Sequence, residues 1–394
     1  MADNELEFVP AREGETGELE ELLGTALHFY RMPEWVGMLG FENFREVRVG
    51  GRLAAGLGYV PAGQWFGGRV VPSMGITAVG VAPEFRGAGV GSRMLKLMLE
   101  EMHREGWALS SLYPATVEYY RRVGYERAGY FIQYELAVDA IDAGDRALTV
   151  RPASENDLEV MKALYERRAR VSAGVLQRPE WMWTGRPLLP EQREHRMIIE
   201  RDGQPEGYVV FRQAARTDPL RVSDVCVLTR QAARRVLTVF ATFRSMVEMV
   251  RWNGGPLDPV LYALQEPGIG TTRERVTRPI VIDWMLRIVD VRKALEARGY
   301  PAGLEAEMHF ELEDDMLPAN SGRVTLTVSG GKGEAREGGE GRIKMHVRDL
   351  AAVYTGFATP FEQALFGSVG GPEEDLALAA SVFAGPRPWL AEIF

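Results

Sequence analysis

Residues 76–92 read ITAVGVAPEFRGAGVGS: a strand, a glycine-rich turn and the start of a helix in immediate succession. Residues 76–81 are mostly β-favouring and apolar, Pro83 stops the strand, and Met94, Leu95, Met98 and Leu99 recur at helical spacing once the glycines end. Between strand and helix lies RGAGVG. Glycines at 87, 89 and 91 let the backbone approach a ligand closely, and the first N–H groups of the following helix have no partner within it and face outward with the positive end of its dipole. Such a turn accepts a pyrophosphate. A dinucleotide-binding turn would want GxGxxG with an acidic residue about 20 positions on, and a triphosphate loop a Lys followed by Ser or Thr after the last glycine. Neither spacing is met, which leaves another kind of phosphate cradle or an ordinary tight strand-to-helix turn.

The next segment decides between these. An amphipathic helix over 92–105 ends at Gly106, residues 108–113 read as a second buried strand, and Pro114, Ala115 and Thr116 lead into YYRRVGY, residues 119–125. Arg86 followed by Gly89 and Gly91 resembles the R/QxxGxG/A signature of the GNAT acetyltransferases, which cradles the pyrophosphate of acetyl-CoA. Tyr119, Tyr120, Gly124 and Tyr125 stand where that family typically carries an aromatic pair, three intervening residues and Gly-Phe or Gly-Tyr. When an amine attacks a thioester the departing sulfur develops negative charge, and a phenol of unperturbed pKa about 10 can donate a proton or a hydrogen bond to it. Tyr120 is therefore the general-acid candidate, and Tyr119 reads as a packing residue of the same short helix.

Composition sets matching bounds. A chain of 394 residues, 46% hydrophobic, suffices for two or three domains with a core in each. No apolar run is long enough for a membrane span, and MADNELEFVPAREGETGELE lacks the basic and apolar regions of a leader, so the sequence predicts a cytoplasmic protein with no membrane partner. The single cysteine, Cys226, excludes an internal disulfide and a cysteine-based zinc site, and within VSDVCVL it reads as a buried strand residue. His28, His103, His195, His309 and His346 show no HxxxH or HExxH spacing, so no metal site is expected. The net charge of −9 argues against a nucleic-acid partner and favours cationic substrates.

The order of elements recurs. FVPAREGETGELEELL leads into a helix, REVRVGGRLAAGLGYV forms a hairpin turning at Gly50 and Gly51, and the strand of the glycine turn follows. Later, VRPASENDLEVMKALY opens a helix with Ser154 or Asn156 as cap, HRMIIERDGQPEGYVVF turns near Asp202 and Gly203, and LRVSDVCVLT takes the place of the cofactor strand. After Thr229, however, RQAARRVLTVFATF runs straight into a helix without a glycine, so the second unit lacks the cradle. The last part differs. Asp290 caps a helix VRKALEARGY, and LEAEMHFELED alternates apolar Leu304, Ala306, Met308, Phe310 and Leu312 with polar neighbours. RVTLTVSG and GRIKMHVR continue the alternation across a glycine- and glutamate-rich loop over 330–341, and DLAAVYTGF adds an amphipathic helix, which predicts a twisted antiparallel sheet covered by helices. The outward glutamates read as a solvated face.

Two GNAT-like units followed by such a module resemble the Eis ("enhanced intracellular survival") acetyltransferases over essentially the whole chain. The resemblance implies an α/β (α+β) fold: tandem GNAT (acyl-CoA N-acyltransferase) domains over 1–145 and 146–285, then a sterol-carrier-protein-like α+β domain over 286–394. In that family the carboxylate of a terminal aromatic residue enters the first domain's site as general base, and the matching group in PWLAEIF is that of Phe394. An α-carboxylate of unperturbed pKa about 3.5 is a weak base, so the expected role includes positioning and polarising a cationic amine. Carried over residue by residue, the backbone of Val79, Gly80 and Val81 pairs with the pantetheine amides like an added strand. The N–H groups of Gly87, Ala88, Gly89, Val90, Gly91 and Ser92 meet the phosphates near Arg86, and Ala115 and Thr116 make a second contact with the cofactor arm. The family often has basic residues where Gly87 and Ala88 stand, so fewer ionic contacts to acetyl-CoA are expected here. The implied acceptor is a small cationic amine (aminoglycoside, polyamine or lysine-like), in a pocket bordered by LHFYRMPEW (27–35), the second unit and the tail, and the implied assembly is a homohexamer. The alternative is a non-catalytic acetyl-CoA- or lipid-binding scaffold.

Overall fold

Strand-forming runs separated by glycine turns build one sheet that continues from Leu6 to Ile288 across both repeated units. The computed structural model describes residues 6–142, 144–184, 194–212, 218–265 and 276–394. In the first unit β1 (Leu6–Pro10) and helices α1 (Gly17–Leu27) and α2 (Met32–Leu39) precede the meander β2 (Phe44–Val49), β3 (Arg52–Phe66) and β4 (Arg69–Val81). Gly50 and Gly51 turn the first hairpin and Gly67 and Gly68 the second, all four at positive φ, as two-residue turns between twisted strands require. Helix α3 (Val90–Glu105) begins two residues earlier than its spacing suggests, because Gly89 adopts the left-handed conformation (φ 80°) and serves as its N-cap. Its buried stripe, Met94, Leu95, Met98, Leu99 and Met102, packs on the sheet, while Arg45 of β2 and the Tyr59 hydroxyl of β3 both donate to Glu101 and fix the helix from its other end. Strand β5 (Leu109–Leu112), the short helix α4 (Val117–Arg121) and β6 (Glu126–Ala137) follow.

The second unit repeats the plan with β7 (Thr149–Pro152), α5 (Leu158–Ala169), β8 (Leu176–Gln177), α6 (Glu180–Thr184), β9 (Glu194–Arg201), β10 (Gln204–Arg212), β11 (Leu220–Val227), α7 (Arg230–Ala241), β12 (Met249–Gly254) and β13 (Val276–Ile288). Ser154 and Asp157 form a capping box ahead of α5, and Asp202 and Gly203 turn the β9–β10 hairpin. The sheet order is β1-β2-β3-β4-β5-β13-β6-β12-β11-β10-β9-β7, with β8 added to β3. Thus β13 lies between β5 and β6, antiparallel to both, with Met285 opposite Leu112 on one side and Arg127 on the other. β6 in turn pairs with β12, Tyr134 opposite Trp252. The two repeats are interlocked by strand pairing.

The third module places α8 (Val291–Ala297), capped by the Asp290 carboxylate, before β14 (Ala306–Glu313), β15 (Gly322–Ser329), β16 (Lys332–Glu337), β17 (Ile343–His346), α9 (Val347–Thr355), α10 (Pro360–Leu365), β18 (Val369–Gly370) and α11 (Glu373–Val382). Two expectations are corrected here. The glycine- and glutamate-rich stretch is not all loop: Gly330 and Gly331 make a tight turn, and β16 returns along β15. The sheet, ordered β16-β15-β14-β17-β18, is mixed, because β17 runs parallel to β14 with Ile343 opposite Phe310. Alternation fixes which face of a strand is buried and says nothing about its neighbour's direction. The buried face is as read: Met308, Phe310 and Leu312 point inward, onto a core shared with Leu326, Leu350, Tyr354 and Phe383, and Glu305, Glu307 and Glu313 are exposed.

A wholly buried ion pair ties the start of this module to the main sheet. Arg287 of β13, wholly buried, donates Nη2 to both oxygens of Asp314 at 2.7 Å, and Asp314 also accepts from the backbone of Leu317 and from the Asn320 amide. Removing one partner leaves the other charge buried and unpaired. Arg287→Met should lower unfolding free energy by roughly 3–5 kcal/mol, read from urea denaturation midpoints, and an unchanged midpoint would show the pair to be dispensable.

Candidate active site

β4 and β5 run parallel and are paired at Ser73–Leu109, Met74–Ser110 and Gly75–Ser111, after which they part. The cause is visible on β4. Opposite Leu57 the register with β3 shifts between Gly56–Gly80 and Gly58–Thr77, and Ala78 takes φ 53°, a bulge that a residue with a Cβ occupies only at a cost of about 1–2 kcal/mol. Residues 76, 77, 80 and 81 therefore pair with β3 alone, 78 and 79 form the bulge, and the other backbone edge faces the gap, where Val79 and Val81 stand half-buried. At the apex of the fork the Ser111 hydroxyl is buried with no hydrogen-bond partner.

The glycine turn closes the wide end of this fork. Gly87 and Gly89 hold φ 76° and 80°, and a Cβ at either would meet nothing within 4 Å, so both face open space next to the first turn of α3. Arg86, Ala88 and Ser92 are exposed around them; Arg86 donates Nε to the Val81 carbonyl (3.1 Å), steadying the end of β4. Gly91 is closed over: the Tyr119 hydroxyl lies where its Cβ would be, so Tyr119, read as packing, borders the cradle itself. Ala115 and Thr116 are exposed beyond β5, and Thr116 is the N-cap residue of α4. An unpaired strand edge, an orphaned hydroxyl and an open glycine cradle at a helix N-terminus fit a ligand with amides in a row and a pyrophosphate at one end.

Tyr120 is 6% exposed, packed edge-on between Tyr119 (ring centroids 5.2 Å) and Tyr125 (6.0 Å). Tyr125 in turn shares a 2.7 Å hydrogen bond with Ser110, which donates to the Met74 carbonyl, so the pair is tied to the paired part of the fork. No described residue hydrogen-bonds the Tyr120 hydroxyl, which is not among the buried atoms lacking a partner and so keeps a solvent-facing opening. Burial, with the neighbouring Tyr119, holds its pKa well above that of an ordinary phenol.

The tail reaches the same fork. Pro388 and Leu390 hydrogen-bond the backbone of Tyr130 on β6, the Trp389 N–H donates to Ala173, and the Trp389 ring lies on Gly255, where a Cβ would come within 2.6 Å of it. Asn253 donates to the Ala391 carbonyl and the Tyr113 hydroxyl to that of Glu392 (2.7 Å). The Phe394 ring then lies on Gly75, the last residue of β4 paired to β5, against Val60 and edge-on to Tyr113 at 5.8 Å. A Cβ at 75 would come within 2.7 Å of it. Trp35 of α2 and Trp181 of α6, edge-on at 6.0 Å, join Phe394 in one apolar cluster, so the first helices, the second unit and the tail do converge. Gly75 and Tyr113 escaped the sequence reading, since neither belongs to a motif.

In the second unit the corresponding helix terminus is occupied by the protein. Thr229 caps α7 by accepting from the Ala232 N–H and donates to Glu206, which places a carboxylate where the first unit has its cradle. Cys226 is buried on β11, as read, with its thiol pKa pushed up to about 12 by burial and then by Asp224.

A divergent sheet with a glycine cradle at the open end and a tyrosine beside it is the site of an acyl-CoA-dependent acyltransferase. Residues 10–128 and 174–288 each match an acetyltransferase (GNAT) domain model, and 291–391 a sterol carrier protein domain model. A solved GCN5-related N-acetyltransferase from Anabaena variabilis is 34% identical, superposes with a TM-score of 0.93, and the match covers 99% of this chain and 100% of that one. The N-acetyltransferase Eis of Mycobacterium tuberculosis is 29% identical over 72% of this chain and 68% of its own. Eis1 of Mycobacterium abscessus, 22% identical with a TM-score of 0.77 over 99% of this chain and all of its own, shares the fold. The chain belongs to the GCN5-related N-acetyltransferases, carries a sterol-carrier-like C-terminal module and is similar to Eis in that architecture. It is an acetyltransferase that uses a CoA-linked acyl donor.

Two outcomes follow from this geometry. Gly89→Val, which forces a β-branched residue into left-handed backbone at a cost of about 1–2 kcal/mol, should weaken CoA binding at least tenfold by titration calorimetry while lowering the melting temperature by only a few degrees. Cys226 should not react with a thiol reagent at pH 8 until the protein is unfolded, because its thiolate is suppressed and its sulfur enclosed.

Proposed function

We propose that this enzyme transfers an acetyl group from acetyl-CoA to a primary amine of a small cationic acceptor, an aminoglycoside, polyamine or lysine-like compound. The observation that carries the reading is the seat of the Phe394 ring on Gly75, at the apex of a fork whose open end is the glycine cradle. A cofactor lying along residues 79–81, with its phosphates at 87–92 and Ala115 and Thr116 beside its arm, supplies an activated acetyl group and a sulfur leaving group. Arg86 flanks the phosphates. The three-unit division at 145 and 285 belongs to the same reading, with only the first unit holding the cofactor, since Glu206 and Thr229 occupy the second unit's helix terminus.

Tyr120 keeps its proton at neutral pH. Even an unperturbed phenol, at about 10, holds its proton more tightly than a thiol at about 8.5, a gap of about 2 kcal/mol against full transfer, and burial widens it. Tyr120 thus acts chiefly by donating a hydrogen bond to the departing sulfur, with the proton following where the thiolate is otherwise unsolvated. The α-carboxylate of Phe394, the last residue of the sequence, attracts the cationic acceptor and takes a proton from its amine directly or through water as the N–C bond forms. The net charge of −9 assists the encounter. The scaffold alternative gains nothing from the third module, whose centre is filled by Phe310, Tyr354 and Phe383 around Arg298. A cytoplasmic homohexamer completes the reading. No helix of the described residues is long and apolar enough to cross a membrane.

The test is acetyl transfer to a panel of polyamines and aminoglycosides. Deletion of Phe394 and Tyr120→Phe should each lower kcat at least tenfold with CoA affinity within twofold of the intact chain. Appending two glycines after Phe394 should act like the deletion, since it removes the carboxylate from its place. The Tyr120-dependent part of kcat should persist to pH 9–10, as a phenol with a raised pKa requires, and a loss centred near neutrality would point to another acid.

A further inference from the structure

The second unit carries the same divergence of strands as the first, and this chain's own residues fill it. β11 and β12 pair in parallel only at Leu220–Val250 and Arg221–Arg251. Beyond that point they enclose a cavity of about 40 Å³, room for a water or two, among whose lining residues are Cys226, Trp252, Arg178, Trp389 and Glu392. Arg178, between β8 and α6, is the centre of the filling: its side chain is 3% exposed. Nη1 and Nη2 donate to the two carboxylate oxygens of Asp224 on β11 at 2.6 and 3.0 Å, and Nε donates to Glu392 of the tail at 2.5 Å. The guanidinium lies over the Tyr165 ring at 4.0 Å and the Trp183 ring at 4.9 Å, and Tyr208 donates to Asp224 from the other side. A planar donor fork packed against two adjoining rings, themselves edge-on at 5.4 Å, and bonded at all three nitrogens has one orientation.

We infer that Arg178 is a positioning residue for the catalytic end of the tail, and that the second unit serves as the dock on which the tail is held. The inference rests on the reading of Phe394 as base. Chain reach decides why an ionic clamp is needed. The apolar anchors Trp389 and Leu390 end four residues before Phe394, and at about 3.5 Å per residue they alone would leave its carboxylate free over roughly 14 Å. Pinning Glu392, at its side chain by Arg178 and at its carbonyl by Tyr113, halves that to about 7 Å, and the glycine seat at 75 takes up the rest. The geometry also accounts for the absence of a glycine turn before α7: a fork that receives a peptide has no use for a phosphate cradle.

Glu392→Gln is the informative variant, since it leaves the Arg178–Asp224 pair intact where Arg178→Gln risks the fold. Release of Phe394 by carboxypeptidase, which needs no acceptor, should be at least tenfold faster in Glu392→Gln than in the intact chain at equal melting temperature, and Arg178→Lys should lie between. With an acceptor in hand, Glu392→Gln should lower kcat about tenfold without changing CoA affinity, and should cost less than twofold in a chain already lacking Phe394. An unchanged rate of Phe394 release, or an equal loss of kcat with and without Phe394, overturns the clamp. Faster release in Glu392→Gln combined with undiminished turnover after deletion of Phe394 would leave the clamp standing and refute the base.

Discussion

Three residue pairs hold β4 to β5, and then a left-handed alanine on β4 forces the strands apart; the site is made by that separation. A sheet paired to its end would satisfy its own backbone and leave no edge for a ligand. Parted, it must offer its N–H and C=O groups to something else, since buried backbone polar groups do not stay unpaired. The bulge costs about 1–2 kcal/mol locally and persists because the β3 pairing on one side and α3 on the other over-determine it. Strain of this size is affordable only in a large sheet, where many regular pairs outweigh it.

The same divergence occurs twice, and the two copies have been put to different uses. In the first unit the fork opens onto a glycine turn whose backbone points outward into empty space. In the second it opens onto a helix capped by its own threonine and screened by a carboxylate, and the space between the strands holds a buried arginine, two acids and the tail. A helix N-terminus attracts negative charge wherever it occurs. Whether that charge belongs to a ligand or to the protein is set by a handful of side chains.

Interlocking makes the arrangement rigid enough to matter. β13 is inserted between β5 and β6, Arg287 on it is paired to Asp314 of the third module, and Gly124, just after α4, lies against that guanidinium with no room for a Cβ. The tyrosine helix is therefore braced from below by a buried ion pair, while the tail crosses from the third module over the second unit into the first. All three units meet at the fork.

Local chemistry was legible in the sequence. The strand, glycine turn and helix at 76–92, the tyrosines at 119–125, the hairpin turns at Gly50–Gly51 and Asp202–Gly203, the Asp290 cap and the alternating face of 306–312 all depend on residues within a few positions of one another, where steric and periodic rules are strong. What lies beyond that range was not: the bulge at Ala78, β17 running parallel to β14, β13 within the first unit's sheet, and Tyr119 over Gly91. Least of all could it be read that Arg178 meets Glu392, 214 positions away. Amino-acid order determined most of the elements, several of their caps and the chemistry of two motifs. Only the tertiary structure decided which strand stands beside which and which charge is buried against which, because those choices are made by the packing of distant segments whose local patterns permit several partners.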